Sequence, residues 1–394
     1  MAITKMNTIK SICLVCEGYP AEGDPIFPFV EVLCKEFAKN DIRVTVICPQ
    51  SITYCLKWKK KPHPWKRVDK VEEGLPIKVY QPYYLSFGNK NRHLNYRLRK
   101  FVVEWTYKIL RLTPDICYAH FWYPGYTISK CAQKNGIPLF VATGEAELGD
   151  YEKEFHDDLN FMEYTTTIRG LISVSSENLT ESLRMKLIDK NKSIVIPNAI
   201  DEKLFFPRNK NELRKKYGYR VEDFIVCFVG SFIDRKGSNR LSAAIDRLSD
   251  ANIKSFFIGE GQGKYNLEPN CKGILKIGRV QREELPNYLS MADVFVLPTL
   301  SEGCCNAIIE ALACGLPVIS SDLPFNYDVL DETNSLLVDP NNIDAIANAI
   351  KELKDNHQKR KQLSEGALKR GRDLTIARRT QKILHFIESK LANL

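Results

Sequence analysis

The chain has 394 residues, of which 44% are hydrophobic and 27% charged, and its formal net charge is +9. This length suits two domains, and the composition is that of a globular protein, which excludes the disordered and fibrous classes. The first residues turn polar too soon for a secretory signal peptide, and no run of about 18 apolar residues could span a membrane. We therefore expect a cytoplasmic protein.

Twelve cysteines are present, and most lie within apolar strand or helix patterns, as Cys48, Cys227 and Cys314 do. Such cysteines behave as small buried hydrophobic side chains in a reducing compartment, so no disulfide framework is expected. Cys13 and Cys16 have the spacing of a redox or zinc pair, but no second pair lies nearby. We expect neither use for them.

Short β-rich runs alternate with helix-length segments in two successive series. The first series contains a helix at 27–40 and strands at 8–16, 44–48, 116–120, 138–143, 170–176 and 193–197. The second contains helices at 238–250, 282–291 and 306–314, and strands at 224–230, 253–261, 274–278, 292–299 and 316–322. Such alternation is typical of parallel sheets built from βαβ units. The predicted fold class is therefore α/β, with two Rossmann-like doubly wound domains facing each other across a cleft.

A turn-rich stretch at 197–207 separates the two series and is predicted as the hinge. Near the C-terminus an amphipathic helix is predicted, because its apolar residues fall on one stripe; these are Ile376, Ile383, Phe386 and Leu391. A terminal helix after a finished domain is expected to cross back to the first one. The predicted domains are 1–198 plus 375–394, and 199–374.

Candidate site residues are sought in strand-to-helix turns, because ligands of open α/β sheets bind at the carboxyl ends of the strands. The turn GSFIDRKGS at 230–238 places Arg235 and Lys236 beside a helix N-terminus, which suits a diphosphate, although a solvated basic turn is the alternative. The turn GEGQGK at 259–264 lacks the full dinucleotide fingerprint and the P-loop ending. A plain tight turn is an equal interpretation there.

The stretch SEGCCNAIIEALACG at 301–315 carries two carboxylates, Glu302 on the predicted loop and Glu310 in the helix. Glu310 can accept hydrogen bonds from vicinal hydroxyls such as a ribose diol, and Glu302 can reach hydroxyls of a sugar ring. The alternative is that Glu302 caps the helix and Glu310 lies on its surface. That helix is apolar almost all round, however, and a buried carboxylate needs a partner. Loop amides are expected to point into the cleft and hold a phosphate or sugar oxygen; they belong to Gly303, Cys304, Cys305 and Asn306.

A histidine, His120, ends the strand predicted at 116–120. We expect its side chain to face the cleft, with a structural histidine packed beside aromatic residues as the alternative.

Together these motifs resemble those of family four of the retaining glycosyltransferases, which have the GT-B fold. SEGCCNAIIEALACGLPVI resembles the E-x7-E motif, IPNAIDEKLFFP the linker before the second domain, FIGEGQGK the glycine turn, and SMADVFVLPTLSEG the run preceding the motif. The resemblance covers nearly the whole chain and is strongest between residues 195 and 349.

The resemblance implies transfer of a hexose from a nucleotide sugar, UDP- or GDP-linked, to a saccharide or lipid-linked acceptor in bacterial surface-polysaccharide or glycolipid synthesis. It implies that Glu310 binds the ribose and that Glu302 lies beside the transferred sugar. Lys236, with Arg235, would neutralise the leaving diphosphate, and His120 would lie near the reacting sugar. The turn at 278–280 would lie under the nucleobase. Further donor contacts are implied for Gly230, Gly303, Cys304, Cys305, Asn306, Arg279 and Val280.

Two departures from the family pattern stand out. Relatives usually carry an arginine directly after the strand glycine, where this chain has Ser231, and neighbouring Arg235 is the candidate substitute. The stretch GEAELGD at 144–150 replaces a Gly-Ser-Asp-like turn. No Asp-x-Asp motif follows a strand, and the pair at 157–158, in a predicted helix, is interpreted as solvated charge. No metal and no resident cofactor are therefore expected, and retention without an evident nucleophile suggests a front-face reaction.

Positive charge is concentrated in the first half of the chain. Residues 57–111 hold 15 Lys and Arg against 4 Asp and Glu, a net +11, so the remainder carries −2. Within this region 55–70 and 91–112 mix cations with aromatic residues, which suits the interface of an anionic membrane. A core helix with a solvated charged face is the alternative for the longer segment. No nucleic-acid-binding module is recognised, so no such partner is expected.

Two other functions remain open on the sequence. A catalytically degenerate GT-B protein that scaffolds a membrane assembly is one, because Ser231 departs from the family pattern. A nucleotide-sugar epimerase is the other, and the E-x7-E helix and the basic first half argue against it.

Overall fold

The computed structural model describes residues 9–21, 26–88, 91–145, 148, 159–261 and 267–392. The chain folds as two compact units. Unit 1 runs to Val174 and includes Asn178–Ile196 and Thr380–Leu394, whereas unit 2 comprises Ser175–Glu177 and Pro197–Arg379. The predicted boundaries, after 198 and before 375, lie a few residues from these limits, and what each unit binds stays a prediction.

Unit 1 is built on an eight-stranded sheet in the order β10-β9-β8-β7-β1-β2-β5-β4. All neighbours pair in parallel except β4, which runs antiparallel to β5 at the edge. Two further strands, β3 and β6, form a separate parallel pair. The strands are β1 Ser11–Val15, β2 Arg43–Ile47, β3 Gln50–Ser51, β4 Lys66–Asp69, β5 Ile77–Tyr80, β6 Tyr83–Tyr84, β7 Ile116–His120, β8 Leu139–Thr143, β9 Ile168–Ser173 and β10 Ser193–Val195.

Helices cover the central strands of this sheet. They are α1 Pro28–Lys39, α2 Ile52–Lys57, α3 Arg92–Ile109, α4 Trp122–Lys134, α5 Leu159–Thr166 and α6 Ser176–Arg184, the last beginning in unit 2. Every residue of β7 and β8 is buried. Strands covered on both faces have near-continuous apolar sequences instead of alternating ones, which is why these runs were recognisable.

Unit 2 is built on a six-stranded, wholly parallel sheet in the order β13-β12-β11-β14-β15-β16. Its strands are β11 Phe224–Val229, β12 Ile253–Ile258, β13 Ile274–Gly278, β14 Val294–Leu297, β15 Val318–Ser321 and β16 Ser335–Val338. Its helices are α7 Lys210–Tyr217, α8 Ser238–Leu248, α9 Leu285–Met291, α10 Asn306–Ala313, α11 Ile343–Asp355 and α12 His357–Asp373. The strand order reverses between β11 and β14, and parallel sheets bind ligands at such a reversal.

The last helix, α13 Ile376–Leu391, returns the chain to unit 1. The ring of Phe386 packs on that of Phe140 with centroids 6.4 Å apart, and Arg169 donates to the carbonyl of Lys390 at 2.8 Å. Ile376 and Ile383 are buried, as their stripe predicted.

The α/β class with two Rossmann-like sheets is confirmed, and the named strands and helices appear within a few residues of their predicted bounds. The sequence analysis gave no bounds for the strands β3 to β6 and β16, or for the helices α2, α4, α5, α6, α7, α11 and α12. All twelve cysteines are free, and ten are buried. Cys314 lies one residue beyond the end of α10, as its C-cap, and not inside the helix as predicted. The aspartate pair at 157–158 lies outside the described residues.

Candidate active site

The turn after β11 carries the two predicted cations. Beyond Gly230 the chain forms a short 3₁₀ helix, Asp234–Lys236, and Gly237 then starts α8 with φ +77°. A Cβ atom on Gly237 would lie 2.4 Å from the carbonyl oxygen of Pro298. Only glycine therefore allows the turn to pack this closely against the end of β14.

Arg240, which the sequence reasoning missed, fixes this turn from within α8. Its guanidinium donates to Asp234 at 3.0 Å and to the carbonyl of Pro298 at 2.9 Å. Burial lowers the pKa of Arg240, and Asp234 partly offsets this. Arg240 thus links the turn after β11 to the turn after β14.

Glu302 lies where the two turns meet. Its Oε1 accepts hydrogen bonds from Lys236 Nζ, from Arg235 at 3.1 Å and from the Thr299 hydroxyl at 3.0 Å. Arg235 also donates to the backbone carbonyl of Ser301 at 2.5 Å. The predicted Arg235, Lys236 and Glu302 are therefore brought together, and Thr299 is an addition.

This cluster has unused capacity for an anion. The Glu302 side chain is 10% exposed and that of Lys236 is 16% exposed, so both charges are shielded from bulk water. An arginine has five N–H donors and a lysine three, more than Glu302 and Ser301 accept. Two cations against one carboxylate leave one net positive charge beside the start of α8.

Glu310 lies in the second turn of α10 and is only 7% exposed. Burial raises the pKa of its carboxyl to about 7, and Arg282, whose guanidinium lies 3.5 Å away, partly counters this. Arg282 itself lies over the ring of Phe205, 5.4 Å from its centroid. A buried carboxylate was expected to need a partner, but nothing in the sequence identified Arg282.

The loop between the two glutamates is held from the hinge segment. Asn198, in the predicted hinge, donates to the carbonyl of Cys304 at 3.2 Å. Gly303, Cys304 and Cys305 are buried, and Asn306 opens α10 half-buried. The N-cap residue is Cys305, so the alternative in which Glu302 caps this helix is wrong.

The turns after β12 and β13 lie at the same sheet edge, because both strands run parallel to β11. Arg279 forms an exposed ion pair with Glu260 at 2.5 Å, and Val280 is half-buried. Of the glycine turn predicted at 259–264, residues 262–264 lie outside the described residues.

His120 belongs to unit 1, where it is the last residue of β7 and is 5% exposed. Its ring packs against those of Phe29 and Phe121, whose centroids lie 5.1 and 4.6 Å away. Sequence reasoning also missed Glu145, which accepts a hydrogen bond from the Trp122 amide just beyond this turn.

Among the described residues, no group of three or more His, Cys, Asp and Glu side chains is arranged to hold a metal ion.

Residues 209–370 match the family described as glycosyl transferases group 1. A putative teichuronic acid biosynthesis glycosyltransferase, TuaC of Bacillus subtilis, is 29% identical over 84% of each chain. A UDP-Gal:alpha-D-GlcNAc-diphosphoundecaprenol alpha-1,3-galactosyltransferase of Escherichia coli is 30% identical over 64% of this chain and 69% of its own length.

Solved structures share the fold. Sucrose-phosphate synthase of Thermosynechococcus elongatus superposes with a TM-score of 0.76 at 19% identity, over 98% of this chain and 100% of that one. HepE of Anabaena, in complex with UDP, gives a TM-score of 0.72 at 15% identity, over 96% of this chain and 100% of that one.

Proposed function

Because the chain belongs to the glycosyl transferases group 1 family and is a glycosyltransferase of the GT-B fold, we propose that it transfers a hexose from a UDP- or GDP-linked donor to a saccharide or lipid-linked acceptor. The transfer retains the anomeric configuration and uses no metal ion. Unit 2 takes the donor and unit 1 the acceptor. The names of the Escherichia coli and Bacillus subtilis relatives support a lipid-diphosphate or cell-surface acceptor.

The observation that carries this proposal is the convergence of Arg235, Lys236 and Thr299 on Glu302. A diphosphate at this edge meets two cations already positioned by Arg240 and Gly237, so its charge is stabilised without rearranging water. Glu302, shared by both cations, then lies beside the sugar that the diphosphate carries. This supports a metal-independent departure of the nucleoside diphosphate.

Glu310 is the proposed acceptor of the donor's ribose hydroxyls. It is buried, and the ion contact from Arg282 at 3.5 Å is long, so part of its hydrogen-bonding capacity remains for a diol. Backbone groups of the turn at 278–280 hold the nucleobase in this proposal, and the loop amides from Gly303 to Asn306 face the sugar and phosphate.

In the proposed reaction the bond between sugar C1 and the diphosphate oxygen breaks as a bond from C1 to the acceptor hydroxyl oxygen forms on the same face. The hydroxyl proton passes to the departing phosphate. Lys236 and Arg235 stabilise the charge that develops on that phosphate, and His120 of unit 1 contacts the reacting sugar.

A donor screen tests this function. Purified protein in EDTA is heated with UDP-, GDP- and ADP-hexoses, and one nucleotide family should raise the melting temperature, since a ligand at 100 times its Kd adds about 2.7 kcal/mol. With that donor and an undecaprenyl-diphosphate sugar acceptor, NMR of the product should give an anomeric configuration equal to the donor's. If no donor raises the melting temperature and no product forms, the scaffold alternative is favoured. A requirement for Mg²⁺ would overturn metal independence.

Unit 1 carries an exposed surface that suits an anionic membrane, here called the α2–α3 surface and made of α2, Trp58, Lys59, Lys60, Lys61, β6 and α3. On α3 the side chains of Phe101 and Trp105 are 63% and 48% exposed, while Val103 and Tyr107 pack into the core. The outward face also holds Leu94, Arg97, Lys108 and Ile109, the cations complementing an anionic headgroup layer.

No helix in the described part of the chain has the length and apolarity to cross a bilayer. From the exposed cations and aromatic side chains of the α2–α3 surface we propose peripheral binding at the inner face of the plasma membrane.

Replacing Lys59, Lys60 and Lys61 by alanine should weaken binding to phosphatidylglycerol vesicles at least tenfold, because each cation near an anionic surface contributes about 1 kcal/mol. Phe101→Ser with Trp105→Ser should weaken it further and remove the residual binding in high salt. Sedimentation with vesicles measures both. Alanine at Lys203, Lys215 and Lys216, exposed cations of unit 2, is the charge-matched control. Equal loss in that control, or none in either set, would favour a solvated charged face.

A further inference from the structure

The chain makes an unusual turn directly after His120. Phe121 has φ +85° and ψ 158°, a conformation that residues with a Cβ atom rarely adopt. Strained residues of this kind persist only where surrounding contacts hold them, and they are concentrated at functional sites. The turn therefore needs an anchor.

Two successive amides of the turn are held by the neighbouring strand and the residues that follow it. The amide of Phe121 donates to the carbonyl of Ala142 in β8 at 2.7 Å, and the next amide, of Trp122, donates to the carboxylate of Glu145 at 3.1 Å. The first contact continues the sheet register. The second depends on a side chain.

The carboxylate of Glu145 has the acceptor atoms needed to hold the Trp122 amide. Its other oxygen accepts from the Gly144 amide at 2.8 Å and from the Thr143 hydroxyl at 2.5 Å. Its own carbonyl accepts from Asn178 on α6 at 2.8 Å, so the residue itself is fixed. Three donors surround two anionic oxygens, and an amide in their place has only one oxygen to offer.

We propose that Glu145 is a positioning residue for His120: by holding the strained turn at Phe121 and Trp122, it sets the His120 ring at the carboxyl edge of the unit 1 sheet. The proposal rests on the function proposed for His120. The ring of Phe121 lies 4.6 Å from that of His120, so relaxation of Phe121 would move the wall against which His120 packs. A positioning role also accounts for a glutamate at 145, within the stretch that departs from the family pattern.

The test is a double-mutant cycle between Glu145→Gln and His120→Ala, with kcat, the KM for each substrate and the Kd of the free nucleoside diphosphate measured for each variant. Glu145→Gln should lower kcat about 10–100-fold and leave the Kd of the free nucleoside diphosphate unchanged, because every residue proposed to bind that part of the donor lies in unit 2. In the His120→Ala background the same change should cost less than threefold, since the group that Glu145 positions is already gone. Glu72→Gln, an exposed carboxylate of unit 1, is the matched control.

The outcomes separate the two proposals. If His120→Ala is fully active, the assignment of His120 fails, and this inference fails with it. If His120→Ala is impaired and Glu145→Gln costs the same in both backgrounds, the assignment stands and only the inference is overturned.

Should Glu145→Gln fold poorly, Thr143→Val removes a single donor from the carboxylate while keeping the shape of the buried side chain. Thr143→Val should lower kcat less than Glu145→Gln does, and again by a larger factor in the wild-type background than in the His120→Ala background. In either variant the NMR signal of His120, identified by its absence in His120→Ala, should broaden or double. An unchanged signal would overturn the inference.

Discussion

Lys236→Ala is expected to lower kcat about 10²–10³-fold, with a much smaller change in donor affinity. The lysine is held in place by Glu302 and is 16% exposed, so in our proposal it meets the diphosphate with little loss of side-chain freedom. Negative charge on that diphosphate grows as the sugar leaves, and a group that interacts more strongly with the transition state than with bound donor acts mainly on kcat.

Steady-state kinetics with saturating donor, together with calorimetric titration of the free nucleoside diphosphate, separate these two effects. Arg235→Ala should cost less, because its side chain is 33% exposed and shares its donors between Glu302 and Ser301. Lys272→Ala, an exposed lysine of unit 2, controls for lost charge. A Lys236→Ala enzyme with kcat within threefold of wild type would refute the assignment.

Glu310→Gln is expected to weaken donor binding about 10–100-fold while making the unliganded protein more stable at pH 8. The buried carboxylate accepts the ribose hydroxyls in our proposal, and losing such a contact in a buried site leaves polar groups unpaired. The same burial makes the charged carboxyl costly in the absence of donor. A functional group that is unfavourable for folding is the expected trade-off at a binding site.

How the free energy of unfolding depends on pH follows from the direction in which burial shifts the pKa of Glu310. The folded pKa, about 7, lies above the ordinary value of 4.5, so folding favours the protonated form. Stability is greatest below pH 4.5 as far as this group is concerned, falls as pH rises to about 7, and is constant above that. Between these two limits the free energy of unfolding falls by about 3 kcal/mol. The glutamine variant should lack this decline.

Donor affinity should change in the opposite direction. If the ionised carboxylate binds the diol, the donor Kd falls as pH rises through about 7 and then levels off, and Glu310→Gln removes that dependence. Thermal unfolding and donor titration between pH 5 and 8.5 measure both effects, with Glu283→Gln, an exposed neighbour of Arg282, as the control. A variant that binds donor as tightly as wild type would remove Glu310 from the site.

Much of the candidate site in unit 2 could be predicted because it depends on local pattern. Apolar runs of strand length marked β11 and β14, and strands of a parallel sheet end at one edge. The turns that follow them therefore had to bring Lys236 and Glu302 to the same edge. The burial of Glu310 followed in the same way from a helix apolar on nearly all sides.

The sequence by itself therefore determined the fold class, the order of the main elements and the turns in which the candidate site residues lie, because these depend on periodicity and on residues close in the chain. Only the tertiary structure decided which groups pair between segments that are distant in the chain. These pairs are Glu302 with both cations, Arg282 with Glu310, and Glu145 with the turn beyond His120. It also decided that the aromatic side of α3 faces outward, where the predicted stripe suited a core equally well. Periodicity defines a face of a helix, and packing between distant segments chooses what covers that face.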